Sequence, residues 1–145
     1  MSQLNLKKSI VTATTAGMLL FGAMAPALAD EVALTIKDIR KLQGHLLISM
    51  FKGEENYNNN TPYKLHKVKV TEAEHQVVFE EVEAGEYGIK VIHDENDNRK
   101  LDTNLLGMPK EGYGFSNNGG AYGPAPWSKA KFEVKDKTEL AITLL

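Results

Sequence analysis

The chain has 145 residues, a formal net charge of −2 and no cysteine, and its 42% hydrophobic and 25% charged residues are typical of one globular domain. The length excludes a complete (β/α)8 barrel, which needs at least ~200 residues. The composition also excludes disulfides, cysteine nucleophiles and Cys-ligated metal sites, and the charge gives no general reason to expect a nucleic acid partner.

Residues 1–29 have the layout of a secretory signal peptide. Two lysines precede an apolar stretch at 10–25, and Ala27-Leu28-Ala29 supplies the small-x-small pattern of a signal peptidase site. A transmembrane anchor is the weaker alternative, because the stretch is short of ~20 residues and is interrupted by threonines. We therefore expect cleavage to leave a periplasmic or secreted domain of residues 30–145, with a net charge of −4 and no integral membrane segment.

Apolar residues alternate with polar ones along most of residues 30–145, which is the period of half-buried strands. The alternating sets are Val32/Leu34/Ile36, Leu46/Ile48/Met50, Val68/Val70, Val77/Phe79/Val82, Tyr87/Ile89/Val91, Phe132/Val134 and Leu140/Ile142/Leu144. Residues 83–86 predict a tight hairpin, and short helices are predicted only around 71–75 or 128–130. These signals predict an all-β sandwich or barrel, of which we favour a seven-stranded antiparallel β-sandwich.

Residues 94–127 interrupt this pattern. The segment holds six of the twelve glycines and three of the five prolines, and unstructured loops above ~15 residues are unusual in compact domains. We predict one long ordered loop, since its large apolar side chains can pack on the sheets. These side chains are Leu105, Leu106, Met108, Tyr113, Phe115, Tyr122 and Trp127.

The strongest chemical pattern opens this loop. Oxygen-bearing groups recur at every second position, and a loop that curls around an ion presents alternate residues to its concave side. Calcium takes six to eight hard oxygen ligands at about 2.3–2.6 Å, so calcium is the candidate cofactor. The candidate ligands are Asp94, Asn96, Asn98, the backbone carbonyl of Lys100, and Asp102, with Asp97 or Glu111 available to complete the shell.

An EF-hand is rejected for this loop. Arg99 stands where that motif has glycine, Leu105 stands where it has a bidentate glutamate, and no helices are predicted to flank the loop. Two alternatives stay open, namely an Asx-rich turn whose side chains bond their own backbone and a site for another metal. Magnesium is disfavoured because it keeps several waters and few protein ligands.

Catalytic patterns are weak, so we expect a protein that is not an enzyme. The chain has no G-x-S-x-G elbow and no phosphate-binding glycine loop, and its four histidines lack metal-ligand spacing. A small hydrolase would need His93, with Asp94 or Glu111, beside a nucleophile such as Ser116. A different alternative is a module that binds an envelope glycan, peptide or protein through the aromatic, glycine-rich loop 105–127. That alternative predicts an exposed Tyr113, Tyr122 or Trp127, whereas a structural role predicts that they anchor the loop.

Two long runs carry a family resemblance. Residues 78–98, from Val78-Phe79-Glu80-Glu81 to Asn96-Asp97-Asn98, continue through Leu101-Asp102-Thr103-Asn104 and Gly107-Met108-Pro109-Lys110 to Asn118. They resemble the bacterial family catalogued as domain of unknown function 2141 (DUF2141), which implies no activity. The loop spacing and the segment before Tyr87 are also similar to transthyretin-like and collagen-adhesin B-type sandwiches, which implies an immunoglobulin- or transthyretin-like topology.

Overall fold

A computed structural model describes residues 30–145, and the predicted signal peptide lies outside these residues. The strands are β1 (Asp30–Lys37), β2 (His45–Lys52), β3 (Lys64–Lys69), β4 (His75–Val82), β5 (Gly85–Asp94), β6 (Tyr113–Phe115), β7 (Phe132–Val134) and β8 (Lys137–Thr143). The helices are α1 (Glu54–Asn58) and α2 (Trp127–Ala130), and a 3-10 turn follows β6 at Ser116–Asn118. In this part of the chain, no helix has the length and apolar character that crossing a membrane requires.

The strands form two sheets, which confirms the predicted all-β sandwich. One sheet has the order β4-β1-β8, and the other has the order β3-β2-β5-β6. Strand β7 also pairs with β5, because β6 occupies only the second half of that edge, opposite Lys90–Ile92, and β7 takes the first half, opposite Gly85–Tyr87.

The strand count and the pairing directions differ from the prediction. Eight strands are present in the described residues, because the short β6 forms inside the long loop. The sandwich is not wholly antiparallel, since β1 and β8 run parallel from Glu31↔Lys137 to Lys37↔Thr143. Alternation reveals which face of a strand is buried, but it carries no information about the direction of a partner that is a hundred residues away.

The predicted hairpin at residues 83–86 is wrong. Strand β4 pairs with β1 in the three-stranded sheet, whereas β5 pairs with β2 in the other. The segment therefore carries the chain from one sheet to the other. Its shape is supported by the Tyr87 hydroxyl, which donates to the Glu83 carbonyl at 2.8 Å.

The main core lies between the two sheets and is built from the alternating residues of the strands. Each fully buried aliphatic side chain contributes ~1.5–3 kcal/mol relative to an exposed one. The buried set includes Val32, Leu34, Ile36, Leu46, Ile48, Met50, Val77, Phe79, Val82, Tyr87, Ile89, Val91, Val134, Ile142 and Leu144. This core fixes the ends of β2 and β5, from which the candidate site projects.

A second, smaller cluster anchors the long loop. Helix α1 lies outside the helices predicted from the sequence, and it buries Tyr57. The short helix predicted around 128–130 is present as α2, whereas 71–75 contains no helix. The cluster consists of Phe51, Tyr57, Phe115, Ala125, Trp127 and Ala130.

Candidate functional site

Strand β5 ends at the first residue of the candidate calcium loop, Asp94. This residue lies opposite His45 of β2 and is fully buried. Its Oδ1 accepts the N–H of Asn98 at 3.0 Å, and its Oδ2 accepts the N–H of Arg99 at 2.8 Å. The Asp94 carboxylate therefore closes the turn from inside and does not point into solvent.

The next three predicted side-chain ligands converge on one another. Asn96 Nδ2 donates to Asp102 Oδ2 at 2.6 Å, and Asn98 Nδ2 donates to Asp102 Oδ1 at 2.9 Å. We call Asn96, Asn98 and Asp102 the polar trio. The spacing predicted from the sequence thus brings these three side chains to a common point.

The amide oxygens of the trio are turned toward the backbone. Asn96 Oδ1 accepts the N–H of Asn98 at 3.1 Å, and Asn98 Oδ1 accepts the N–H of Lys100 at 2.8 Å. These are the bonds of Asx turns, which was the alternative interpretation of this sequence. The observed arrangement is a self-bonded turn whose side chains are gathered on one side.

The two residues considered for completing an ion shell are engaged elsewhere. Asp97 faces away from the trio, because its carboxylate bonds to His45 Nδ1 and lies 3.7 Å from Lys67 Nζ. Glu111 is buried, and its Oε1 and Oε2 accept the N–H groups of Glu95 and Asp102 at 2.9 Å each. Glu111 thus clamps both ends of the loop, a role that no local sequence signal indicates.

Gly44 allows the loop to pass close to the start of β2. It has a φ of +68°, and a Cβ there would lie 2.0 Å from the carbonyl oxygen of Asp94. Only glycine fits a left-handed position with backbone this close.

The site carries little negative charge with which to bind a cation. Among residues 30–145, no group of three or more His, Cys, Asp or Glu side chains is placed to hold a metal ion. The trio contains one carboxylate and two amides, and the nearby Asp94 carboxylate is already satisfied by backbone N–H groups. A cation bound here would rely on neutral oxygens more than on charge.

His93 and Ser116, the residues considered for hydrolysis, are bonded to the backbone. His93 is 1% exposed, and its Nε2 lies 2.8 Å from the carbonyl oxygen of Gln43. Ser116 is fully buried; its hydroxyl donates to the Ala130 carbonyl and accepts the N–H of Ile89 at 2.9 Å. The His93 side chain therefore joins β5 to the turn before β2, and the Ser116 side chain joins β5 to α2.

The aromatic residues of the long loop fall into two groups. Trp127 is buried against Tyr57, with ring centroids 5.5 Å apart, and anchors the loop. Tyr122 is fully exposed and, with the half-buried Tyr113 and with Met108, lines an apolar groove of about 550 Å³. The outer part of the loop therefore presents apolar surface to solvent.

Comparison with known proteins identifies the family and leaves the finer topology open. Residues 34–142 match the family described as "Uncharacterized protein conserved in bacteria (DUF2141)". No curated protein and no solved structure matches the chain, so the immunoglobulin- or transthyretin-like topology stays a prediction. The match covers most of the chain, and the protein therefore belongs to the bacterial DUF2141 family.

Proposed function

We propose that this protein is an exported, non-enzymatic β-sandwich whose Asp94–Asp102 loop binds calcium and thereby stiffens the long loop that follows. The observation that supports this proposal is the convergence of Asn96, Asn98 and Asp102. Their contacts of 2.6 and 2.9 Å place the three side chains close enough to reach one ion at the distance of about 2.3–2.6 Å at which calcium takes oxygen ligands.

Binding would require both asparagine amides of the trio to turn over, which gives up their bonds to the N–H groups of Asn98 and Lys100 as well as those to Asp102. The carbonyl oxygen and the amino group of an asparagine exchange places on a half-turn of the terminal torsion. With calcium present, the oxygens of Asn96 and Asn98 would face the Asp102 carboxylate, since the ion would balance their mutual repulsion. The Lys100 carbonyl and water would complete the shell, while Asp94 would hold the turn closed or supply one oxygen.

The affinity should be modest. Calcium sites in proteins weaken as the number of carboxylate ligands falls, and extracellular modules bind with Kd values of about 10⁻⁴–10⁻³ M. The trio has one carboxylate, and Arg99 adds a positive charge to the loop. We therefore expect a Kd in that range, which suits an exported protein that meets millimolar calcium.

Isothermal titration calorimetry on the purified protein tests the proposal. Calcium should give saturable heat, with weaker heat from magnesium, and Asp102→Asn should abolish it. The matched control is Asp97→Asn, which removes the same charge from the same loop at a position that faces His45 and Lys67. Absence of heat at millimolar calcium, or equal heat from both variants, contradicts the proposal.

Export is tested separately. The full chain, expressed in a bacterium with an outer membrane, should appear in the periplasmic or culture fraction with Asp30 as its first residue. Intact mass and N-terminal sequencing give this result directly. A protein that retains Met1 in the cytoplasm contradicts the export proposal, without bearing on the calcium site.

A second candidate function is a module that binds an envelope glycan, peptide or protein through loop 105–127. The full exposure of Tyr122 beside an apolar groove favours it. A pull-down with purified peptidoglycan or envelope extract should then retain the protein and lose it on Tyr122→Ala. Equal retention of the variant would contradict this role of the loop.

A further inference from the structure

A short hairpin in the long loop holds two leucines away from the protein. Leu105 and Leu106 are 105% and 87% exposed. Thr103 and Pro109 form an isolated antiparallel bridge below them, and the N–H of Lys110 donates to the Asp102 carbonyl at 2.8 Å. We call residues 101–111 the leucine hairpin.

The tip of the leucine hairpin is fixed by its own hydrogen bonds. The N–H of Asn104 donates to the Met108 carbonyl at 2.8 Å, and the N–H of Gly107 donates to the Asn104 carbonyl at 2.9 Å. Asn104 Oδ1 also accepts the N–H groups of Leu106 and Met108. These bonds hold the backbone of the tip in shape, while the exposed Leu105 and Leu106 contribute nothing to the core.

Among the described residues, exposed apolar side chains are concentrated on the leucine hairpin and the groove beside it. Four of the eight large hydrophobic side chains that are exposed there belong to it, namely Leu105, Leu106, Met108 and Tyr122. Met108 and Tyr122 line the same groove, so the apolar surface extends from the tip into the groove. Contiguous exposed apolar surface on a soluble domain marks an interaction site.

The charge around the tip is opposite to that of the whole domain. Three exposed basic residues, Arg99, Lys100 and Lys110, lie at the base of the hairpin. Asp102 is the one acidic residue between positions 99 and 110, and its carboxylate accepts hydrogen bonds from two asparagines. Glu111, the other carboxylate of the hairpin, is buried and accepts two backbone N–H groups, so the exposed base of the tip carries more basic than acidic side chains on a domain that is acidic overall.

We propose that the leucine hairpin docks on the surface of an anionic lipid bilayer. Leucines that enter the boundary between headgroups and acyl chains are removed from water, while flanking Lys and Arg side chains reach the anionic headgroups. A projecting aliphatic tip fits a deformable lipid surface, whereas the exposed aromatic ring of this surface, Tyr122, lies at the groove and not at the tip. This docking needs no calcium and stands apart from the proposed function.

Vesicle co-sedimentation in EDTA tests the proposal. The protein should bind vesicles of equal phosphatidylcholine and phosphatidylglycerol, and binding should weaken with salt and on pure phosphatidylcholine. The double variant Leu105→Ser, Leu106→Ser should lose affinity by about tenfold or more. The matched control is Leu65→Ser, Val78→Ser, which removes two exposed aliphatic side chains from β3 and β4 and should bind as the wild type does.

The charged base has its own test. Lys100→Gln with Lys110→Gln should lower the affinity for anionic vesicles by about fivefold per lysine. The proposal is overturned if the wild type binds no vesicles, or if the Leu105/Leu106 variant binds them equally. It is also overturned if light scattering reveals a wild-type dimer that this variant abolishes, since the tip would then dock on a second copy of the chain.

Discussion

Asp94 holds Arg99 in a left-handed backbone conformation. The Oδ2 of Asp94 accepts the N–H of Arg99 at 2.8 Å, and Arg99 has a φ of +63°. The loop thus adopts, with an arginine, the backbone conformation that glycine adopts without steric cost. Arg99 stands where the EF-hand motif has glycine. Its presence strains the backbone locally and leaves the left-handed conformation at this position unchanged.

Replacing Arg99 by glycine should stabilise the protein. Relief of the left-handed strain outweighs the added freedom of the unfolded chain, so the free energy of unfolding should rise by about 0.5–1 kcal/mol in urea denaturation. Lys100→Gly is the matched control, because the φ of Lys100 is not positive; it should lower that free energy. Equal effects of the two variants would mean that the strain at Arg99 is negligible.

Glu111 should be important for the loop's stability. In Glu111→Gln, an amino group replaces one of the two oxygens that accept the N–H groups of Glu95 and Asp102, which leaves one buried donor unpaired. We expect a loss of about 1–3 kcal/mol in the free energy of unfolding. Hydrogen exchange of these two amides should quicken, whereas the exposed control Glu72→Gln should leave both unchanged. Unaltered exchange in Glu111→Gln would contradict the clamp.

Gly44 and Gly107 form a matched pair for the close approach of β2 to the loop. Both have positive φ values, +68° and +78°, but only Gly44 would place a Cβ against Asp94, since Gly107 has nothing within 4 Å. Gly44→Ala should therefore cost about 1–3 kcal/mol more than Gly107→Ala in thermal or urea unfolding. Similar costs would mean that the Asp94 backbone moves aside easily.

Alkaline unfolding should depend on Tyr57. Burial raises the pKa of Tyr57 to about 12, and its hydroxyl donates to the Ala125 carbonyl at 2.8 Å. Below pH 10 the phenol is protonated in both the folded and the unfolded protein. Between pH 10 and about 12 it ionises in the unfolded protein alone, so the free energy of unfolding falls as the pH rises through this range. The loss approaches about 2–3 kcal/mol.

Tyr57→Phe isolates this effect. The variant should be about 1 kcal/mol less stable at neutral pH, because the hydrogen bond is lost. Its stability should fall less steeply than that of the wild type between pH 10 and 12, although the pKa of Tyr87 is also raised by burial in both proteins. Parallel pH profiles of the two proteins would contradict the assignment.

The sequence predicted the parts of the fold that local periodicity controls. Strands such as β1 and β2 alternate apolar and polar residues, and all seven predicted strands are present. Strand β6 lacks this signal because it has three residues around Gly114, where a Cβ would lie 2.6 Å from Ile142. Its pairing with β5 and the close packing of β8 define it, and both are long-range contacts.

At the candidate site, too, local geometry was predictable from the sequence and tertiary contacts were not. Alternate spacing predicted that Asn96, Asn98 and Asp102 would meet, because residues of a short curled loop approach one another through local geometry. The outward direction of Asp97 depends on His45 and Lys67, which lie on other strands. The clamp by Glu111 likewise depends on tertiary contacts, so neither was accessible from the spacing.

The side-chain amide resonances of Asn96 and Asn98, followed by NMR during a calcium titration, test the central claim most directly. Both NH2 groups leave the Asp102 carboxylate if the amides turn to bind the ion. We predict saturable shifts of both pairs with one Kd of about 10⁻⁴–10⁻³ M, absent with Asp102→Asn. Resonances that stay unmoved at ~10 mM calcium, well above that Kd range, would contradict the account and leave the loop as a self-bonded turn.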